Sequence, residues 1–238
     1  MSSPLPSTEF KPKVNKELFY MSVIRQGLIE EGYSEVMTYA FTNTGEVEVE
    51  NPLANDKKYL RASLLPSLEK AYKENLLHKD LLGLKAIKIF EIGKIFKKEG
   101  EVLVLSKMPD KTEINLTEHI ASLPEPDGYV FEERKSDTKT FVPISQYPYI
   151  TRDLALFVPE GIKPEDVSSS FPELLGNLCV RTTLFDSFLK TMTDGTKQQS
   201  YAWRFVFQSA DRTLKDSETN FIMDAVSNAM KSKGYIVR

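Results

Sequence analysis

The chain has 238 residues, of which 41% are hydrophobic and 27% charged, and its formal net charge at pH 7 is −3. This composition is typical of a soluble globular protein with one large or two ordinary domains, and the weak acidity excludes a general attraction to nucleic acids or anionic membranes, so binding of either would need a local basic patch. The single cysteine, Cys179, excludes an intramolecular disulfide, and the two histidines, His78 and His119, are too distant in sequence for metal-ligand spacing.

The first predicted element is a helix that follows a flexible lead-in at residues 1–14. The lead-in has no apolar secretion signal, and no run in the chain approaches the ~18 apolar residues of a membrane helix, so we expect a cytoplasmic protein. Asn15 is a suitable N-cap, Leu18 and Leu28 follow at helical spacing, and Gly32 is a typical C-terminal stop.

Several strands and one helix are predicted over the following residues. "SEVMTYAFTN" is rich in β-branched and aromatic residues and predicts a strand, and "VEVEN" predicts a short one. Pro66 suits the first turn of a helix, and "LKAIKIFEIGKIF" predicts a long strand. Residues 97–140 show no long periodic segment. We therefore expect a core at residues 15–105 and a connector at 106–142 that holds short elements, such as a helical turn at "LTEHIASL".

A different pattern begins near residue 146 and predicts the order β-α-β-β-α-β. The strands are "RDLALFVP", "CVRTTLFDSFL", "QQSYAWRFVFQS" and "YIVR". The first helix, "KPEDVSSSFPEL", is opened by Pro164, the second ends at Gly234, and Asp194-Gly195 is a hairpin signal between the middle strands. This order is that of a ferredoxin-like domain, which we assign to residues 143–238. The fold class is α+β.

The strand "SYAWRFVFQ" has two different faces. One face carries Tyr201, Trp203, Phe205 and Phe207 and is predicted to pack on the helices, while the other carries Arg204 and stays open. An open sheet with a basic residue is how small ferredoxin-like modules bind single-stranded RNA, although a solvated face or a protein-docking face fits equally well. Acidic and basic residues balance in this domain, which confines any RNA site to a patch.

Sequence signatures of catalysis and cofactor binding are missing. There is no glycine-rich phosphate loop, and no Ser-His-Asp or Cys-His arrangement can be argued from two histidines. Adjacent acids such as Glu30 and Glu31 do not face each other on a helix and are expected to be solvated. We therefore predict no catalytic residue, no metal site and no cofactor in this chain.

Several segments closely resemble the bacterial-type phenylalanyl-tRNA synthetase beta subunit. "YPYITRDLALFVPEG", "SYAWRFVFQSADRTLKDSETN" and "GYIVR" resemble its ferredoxin-fold anticodon-binding domain over the whole C-terminal module. "IRQGLIEEGYSEVMTYAFTN", "NPLANDKKYLRASLLPSLEKAYKEN" and "IFEIGKIF" resemble its class II synthetase-like core. The family's OB-type, editing and helical modules are not in this sequence, and the stretch before "YPYITRDLA" is short, which indicates a shortened core, a fragment or a divergent relative.

The resemblance implies a non-catalytic role in phenylalanine–tRNA ligase. In the family this core packs against the catalytic alpha subunit, which would carry out the ATP- and Mg-dependent attachment of phenylalanine to tRNA(Phe). The sequence agrees, because "IFEIGKIF" offers Glu91 and Lys94 but no phosphate-binding arginine, and no glycine-rich motif 3 follows. Arg61 is the nearest candidate for a relic of such an arginine.

The resemblance also directs attention to possible tRNA contacts in the C-terminal domain. We predict that Arg152, Arg204, Arg212, Tyr147 and Tyr149 bind the anticodon stem-loop. Asp153, next to Arg152, is expected to pair with that arginine and hold its guanidinium, so a purely structural role for the pair stays open. The alternatives are a stand-alone RNA-binding or protein-interaction module derived from the subunit and, less favoured, a regulatory module for a small ligand.

Overall fold

The computed structural model describes residues 13–128, 143–191 and 195–238. Most of the predicted lead-in and Asp194 of the hairpin signal lie outside the described residues. The chain divides into two compact units, the first formed by residues 1–77 and 86–137, the second by residues 78–85 and 138–238. A short segment from within the first half of the sequence thus groups with the C-terminal unit.

The first unit contains three helices and seven strands among its described residues. Its elements are α1 (Lys16–Glu30), β1 (Ser34–Glu35), β2 (Phe41–Thr42), β3 (Val47–Glu48), β4 (Tyr59–Leu60), α2 (Leu65–Leu76), β5 (Ile89–Lys97), β6 (Gly100–Met108), β7 (Thr112–Asn115) and α4 (Leu116–Ser122). The main sheet has the order β1-β5-β6-β7, with β1 parallel to β5, and a small antiparallel sheet has the order β2-β4-β3.

The start of α1 follows the sequence prediction. The Oδ1 atom of Asn15 accepts a hydrogen bond from the backbone N–H of Leu18 at 3.0 Å, as an N-cap does. Gly32 follows the helix with a positive φ of 84°, which only glycine adopts without strain. The helix of "RASLLPSLEKAY" also forms, with Pro66 in its first turn and Leu68 fully buried.

Strand β6 was missed because both of its faces are covered. Leu103 and Leu105 belong to a cluster with α1 and α4, while Val104 packs with Leu64 and Ile95 in another cluster. A strand buried on both sides lacks the alternation of polar and apolar residues that identifies a half-exposed strand. The residues between Lys97 and Asn115 that were expected to be irregular therefore contain β6 and β7, while α4 confirms the helical turn predicted at "LTEHIASL".

The predicted strand at "SEVMTYAFTN" is wrong for most of its length. Only the two-residue strands β1 and β2 form there. Between them, Thr38 turns to the buried carboxylate of Glu91, which accepts hydrogen bonds from the Thr38 backbone N–H at 3.2 Å and from its hydroxyl at 2.7 Å. At Thr38 the carboxylate of Glu91 thus takes the place of the backbone hydrogen bonds that a neighbouring strand would supply.

The second unit has the predicted ferredoxin-like order. Its elements are α3 (Lys79–Leu82), β8 (Ile150–Pro159), α5 (Pro164–Ser168), α6 (Phe171–Leu175), β9 (Cys179–Thr191), β10 (Lys197–Phe207), α7 (Asp216–Ser232) and β11 (Ile236–Val237). The strands form an antiparallel sheet in the order β11-β8-β10-β9. The helix predicted over "KPEDVSSSFPEL" is split in two, because Pro172 cannot donate a backbone hydrogen bond to the preceding turn.

The core of this unit lies between the sheet and its helices. Tyr201, Trp203, Phe205 and Phe207 all lie in this cluster, which confirms the predicted core face of β10. Residues of α5, α6 and α7 complete the cluster, including Val167, Phe171, Val226 and Met230. The opposite side of the sheet, which we call the second face, is therefore the one that carries Arg204.

Candidate nucleic-acid interface

The second face is only partly open to solvent. Ser200, Ala202, Val206 and Phe157 on this face are at most 8% exposed, whereas a face left entirely to solvent would expose them. Arg204 is half-buried among them. The expectation of a wholly open sheet is thus corrected, because α3 and the long side chains of neighbouring strands cover much of the face.

Arg204 is held by two carboxylates. Its Nε and Nη2 atoms donate to the two oxygens of Asp153, each at 2.8 Å, and its Nη1 donates to both oxygens of Asp80 at 3.2 Å. Asp153 lies directly opposite Arg204 in the β8–β10 register. The hydrogen bonds to Asp153 raise the pKa of the Arg204 guanidinium above its usual value, and those to Asp80 add to this. The guanidinium carbon lies 5.2 Å from the centre of the Phe185 ring, in a cation–π arrangement.

Arg152 lies on the opposite side of the sheet from Arg204. Successive residues of a strand point to opposite faces, so Arg152 and Asp153 cannot hold each other as predicted. Arg152 instead forms an ion pair with Asp216 and donates from Nε to Asn220 Oδ1 at 2.9 Å, both residues belonging to α7. The pairing predicted within "TRD" is wrong for this geometric reason.

Arg212 also contacts the beginning of α7. Its guanidinium binds both carboxylate oxygens of Glu218, at 2.8 and 2.5 Å. The hydrogen bonds from Arg212 lower the pKa of Glu218 to about 2, and the Lys215 backbone N–H contributes in the same direction. Arg152 and Arg212 therefore lie together at the N-terminus of α7 and apart from Arg204.

The two predicted tyrosines precede β8. Tyr149 is partly buried, and its ring centre lies 6.5 Å from that of His78. Burial raises the pKa of Tyr149, the charge of Asp80 raises it further, and the charge of Arg204 opposes this shift. Tyr147 is more exposed, and its backbone carbonyl accepts a hydrogen bond from Gln208 at 2.8 Å.

A group of basic and aromatic residues on the second face was missed by the sequence reasoning. The ammonium of Lys190 and the guanidinium of Arg238 both lie over the ring of Phe157, at 5.3 and 5.2 Å from its centre. Phe157, Ser200 and Phe188 form one row across β8, β10 and β9, and Phe188 is 41% exposed. The alternation of Phe188 and Lys190 in "DSFLK" could have indicated this, but the contribution of Arg238 depends on how β11 pairs with β8.

Arg61 in the first unit is buried, and its guanidinium donates hydrogen bonds to other residues of the chain. It is 7% exposed, its Nη1 donates to Glu91 Oε1 at 2.7 Å, and its Nε donates to the carbonyl of Lys94 at 2.9 Å. A Cβ atom at Gly93 would lie 2.5 Å from Arg61 Nη2, so the guanidinium packs directly on that glycine. The arrangement assigns Arg61 a structural role in linking the small sheet to β5.

The first unit also exposes large apolar side chains. Met37 is 95% exposed, Tyr39 79% and Leu53 100%, while Phe41 nearby is 46% exposed. The α1 helix adds three exposed apolar residues, Leu18, Val23 and Ile29.

Within the part of the chain that the structure describes, no helix is long and apolar enough to cross a membrane. No group of three or more potential metal-binding side chains occurs in the same residues.

Comparison with protein families gives two matches that together span most of the chain. The model of the phenylalanyl-tRNA synthetase beta chain CLM domain matches residues 2–122. The model of the ferredoxin-fold anticodon-binding domain matches residues 145–238. The second match covers the sheet that carries the candidate interface.

Curated relatives agree with these matches. The phenylalanine–tRNA ligase beta subunit of Oceanobacillus iheyensis is 23% identical over 305 residues, covering 88% of this chain and 37% of that protein. The subunit of Chlorobium chlorochromatii is 22% identical over 336 residues, covering 100% and 41%, and that of Listeria innocua is 31% identical over 114 residues, covering 45% and 14%.

The chain spans about two-fifths of the length of the first two relatives. The alignment with the Chlorobium protein is longer than the chain itself, so that relative has positions without a counterpart here, in agreement with a shortened sequence. The chain belongs to the phenylalanyl-tRNA synthetase beta chain family, with a CLM domain followed by a ferredoxin-fold anticodon-binding domain.

Proposed function

We propose that this chain is a non-catalytic part of a cytoplasmic phenylalanine–tRNA ligase, and that its second unit binds the anticodon stem-loop of tRNA(Phe). The observation that carries the RNA-binding proposal is the clustering of cations around aromatic rings on the second face. Lys190 and Arg238 flank Phe157, and Arg204 lies over Phe185. Unstacked RNA bases bind aromatic and guanidinium surfaces, while basic groups neutralise the phosphates.

The predicted tRNA-binding residues have unequal support within this proposal. Arg204 and Tyr149 belong to the second face, where RNA would lie. Arg152 and Arg212 are engaged by carboxylates of α7, so either would have to exchange Asp216 or Glu218 for a phosphate. The charge of these two arginines is already compensated, as is that of Arg204 by Asp153 and Asp80, so what favours Arg204 is its position on the second face and not a free charge.

The first unit is proposed to dock on the catalytic alpha subunit. Its exposed apolar residues, including Met37, Tyr39 and Leu53, support a protein partner of complementary apolar surface. An obligate interface of this kind buries roughly 2,000 Å² or more in total. ATP, Mg²⁺ and phenylalanine would be bound by the alpha subunit, and Arg61 of this chain would take no part in phosphate binding.

RNA binding is tested by titrating the full chain with a phenylalanine anticodon stem-loop and with a scrambled stem-loop. We expect tighter binding of the cognate RNA, and we expect Lys190→Ala and Arg238→Ala each to weaken binding and to reduce the salt dependence by roughly one phosphate contact. Lys231→Ala on α7 is the matched control for a lost surface cation, and it should leave both quantities unchanged.

The same titration separates the proposed function from its alternatives. Equal affinity for cognate and scrambled RNA would indicate a non-specific RNA-binding module. No binding of either RNA, together with stable association with the alpha subunit, would leave only the docking role. Reductions caused by Arg152→Ala and Arg212→Ala alone would move the RNA site to the N-terminus of α7.

A further inference from the structure

A preformed pocket lies beside Arg204 on the second face. Its volume is about 480 Å³, which is within the range of small-molecule sites. Residues 79–85 form one wall, and Phe185 of β9 with Arg204 of β10 forms the other. All of these residues belong to the second unit.

The wall formed by residues 79–85 is anchored to the sheet by two arginines. Arg181 donates from Nε to the carbonyl of Leu81 at 2.9 Å, and Arg204 binds the carboxylate of Asp80. Gly83 has a φ of 67°, and a Cβ atom there would lie 2.7 Å from the guanidinium carbon of Arg181. A side chain at this position would strain the backbone and push the Arg181 guanidinium aside, so glycine suits this close approach.

The pocket combines an aromatic surface with uncompensated positive charge. Phe185 is 53% exposed, and Arg204, already bound to Asp153 and Asp80, lies over its ring. Lys79 and Lys85 line the same pocket, and neither has a carboxylate within ion-pair distance among the residues described. The two carboxylates hold the planar guanidinium of Arg204 in place, so that it can act as a stacking surface. The two lysines remain available to bind an anion.

We propose that this pocket holds one unpaired nucleotide, with its base against Phe185 and its phosphate between Lys79 and Lys85. Aromatic side chains bind every nucleobase by stacking, and lysines bind phosphate as point charges. The inference rests on the proposed RNA-binding function and deepens it, because an unstacked nucleotide of the bound stem-loop supplies this chemistry. A free mononucleotide has the same chemistry, so the test must distinguish the two sources.

The test uses the full chain and a fluorescently labelled phenylalanine anticodon stem-loop. A series of stem-loops carries one abasic position each within the loop. Phe185→Ala is expected to weaken binding of the intact stem-loop roughly tenfold, because one stacking contact is lost. Phe185→Tyr keeps the ring and should bind within about twofold of the wild type. Phe221→Ala removes an exposed ring from α7 and is the matched control.

The abasic series identifies the nucleotide in the pocket. One abasic position should weaken binding of the wild-type chain as much as Phe185→Ala does, and the same RNA should bind the Phe185→Ala variant without further loss. Lys79→Ala and Lys85→Ala should each weaken binding, whereas Lys231→Ala should not. Trp203 fluorescence checks that each variant keeps the fold of the second unit.

Three results would overturn the inference, and they separate it from the proposed function. If the stem-loop binds but Phe185→Ala behaves like Phe221→Ala, the pocket is wrong and RNA binding by the second face stands. If mononucleotides bind in a Phe185-dependent way and the stem-loop does not compete, the nucleotide does not come from RNA. If neither RNA nor mononucleotide binds, the proposed RNA-binding function and the pocket both fail.

Discussion

Replacing Arg61 by methionine should destabilise the first unit without affecting the second. The guanidinium of Arg61 is the partner of Glu91, whose side chain is 2% exposed, and the Arg61 side chain is 8% exposed. Removing one member of a buried ion pair leaves the other charge uncompensated and costs about 3–5 kcal/mol. Glu91 keeps its hydrogen bonds from the backbone and hydroxyl of Thr38, so we expect about 3 kcal/mol, at the lower end of that range.

The two units can be followed separately during urea unfolding. The only tryptophan of the chain, Trp203, is buried in the core of the second unit, so its fluorescence reports that unit alone. Far-ultraviolet circular dichroism reports both units. Arg61→Met should shift the first-unit transition seen by circular dichroism, while the fluorescence transition of Trp203 stays at the wild-type urea concentration.

A double variant tests the cause of the shift. Glu91→Gln removes the buried charge, so Arg61→Met combined with Glu91→Gln should cost less than the sum of the two single replacements. A loss below roughly 0.5 kcal/mol for Arg61→Met would refute the structural role of the guanidinium. Loss of ATP binding with unchanged stability would instead assign Arg61 to a phosphate.

Three further predictions concern other contacts. The pKa of Glu218, about 2 in the folded chain, should rise towards 4.5 in Arg212→Ala, and carbon-13 NMR titration measures this shift. Because the folded pKa is depressed, ionised Glu218 stabilises the wild type at pH values above its unfolded pKa of about 4.5, and this stabilisation is lost as the pH falls from about 4.5 to about 2. The Glu113 carboxylate accepts hydrogen bonds from the Leu64 backbone N–H at 2.8 Å and from the buried Ser106 hydroxyl at 2.8 Å. Glu113→Ala should therefore lower the free energy of unfolding of the first unit, measured in urea, by about 1–3 kcal/mol, and Glu113→Gln should lower it by less. The purified chain should show no phenylalanine-dependent pyrophosphate exchange above background, and clear exchange would contradict a non-catalytic role.

The C-terminal domain was predictable because its local signals agree with its final packing. The strand holding Trp203 and Phe205 alternates strictly, and its apolar positions all face the helices. Glycines and prolines mark the ends of most elements there. Consistency between local pattern and tertiary burial is what allows such a fold to be predicted from one sequence.

The first unit and the candidate interface were less predictable for two different reasons. Strand β6 is apolar on both faces, which removes the alternation that identifies strands. One carboxylate partner of Arg204 comes from β8 and the other from residues 78–85, which are more than a hundred positions away in sequence. A local sequence pattern cannot indicate a contact over that distance. The face on which Arg152 lies could have been predicted from strand parity, because Arg152 has the same parity as the apolar residues Leu154 and Leu156, which pack in the core.

Ultraviolet crosslinking of the full chain to the phenylalanine anticodon stem-loop, followed by mass spectrometry, tests the central claim most directly. If RNA binds the second face, crosslinked peptides should contain Phe185, Phe188 or Tyr149, and unlabelled cognate stem-loop should compete with crosslinking better than scrambled RNA. Crosslinks confined to α5, α6 and α7, or equal competition by both RNAs, would contradict specific binding of the anticodon stem-loop by this face.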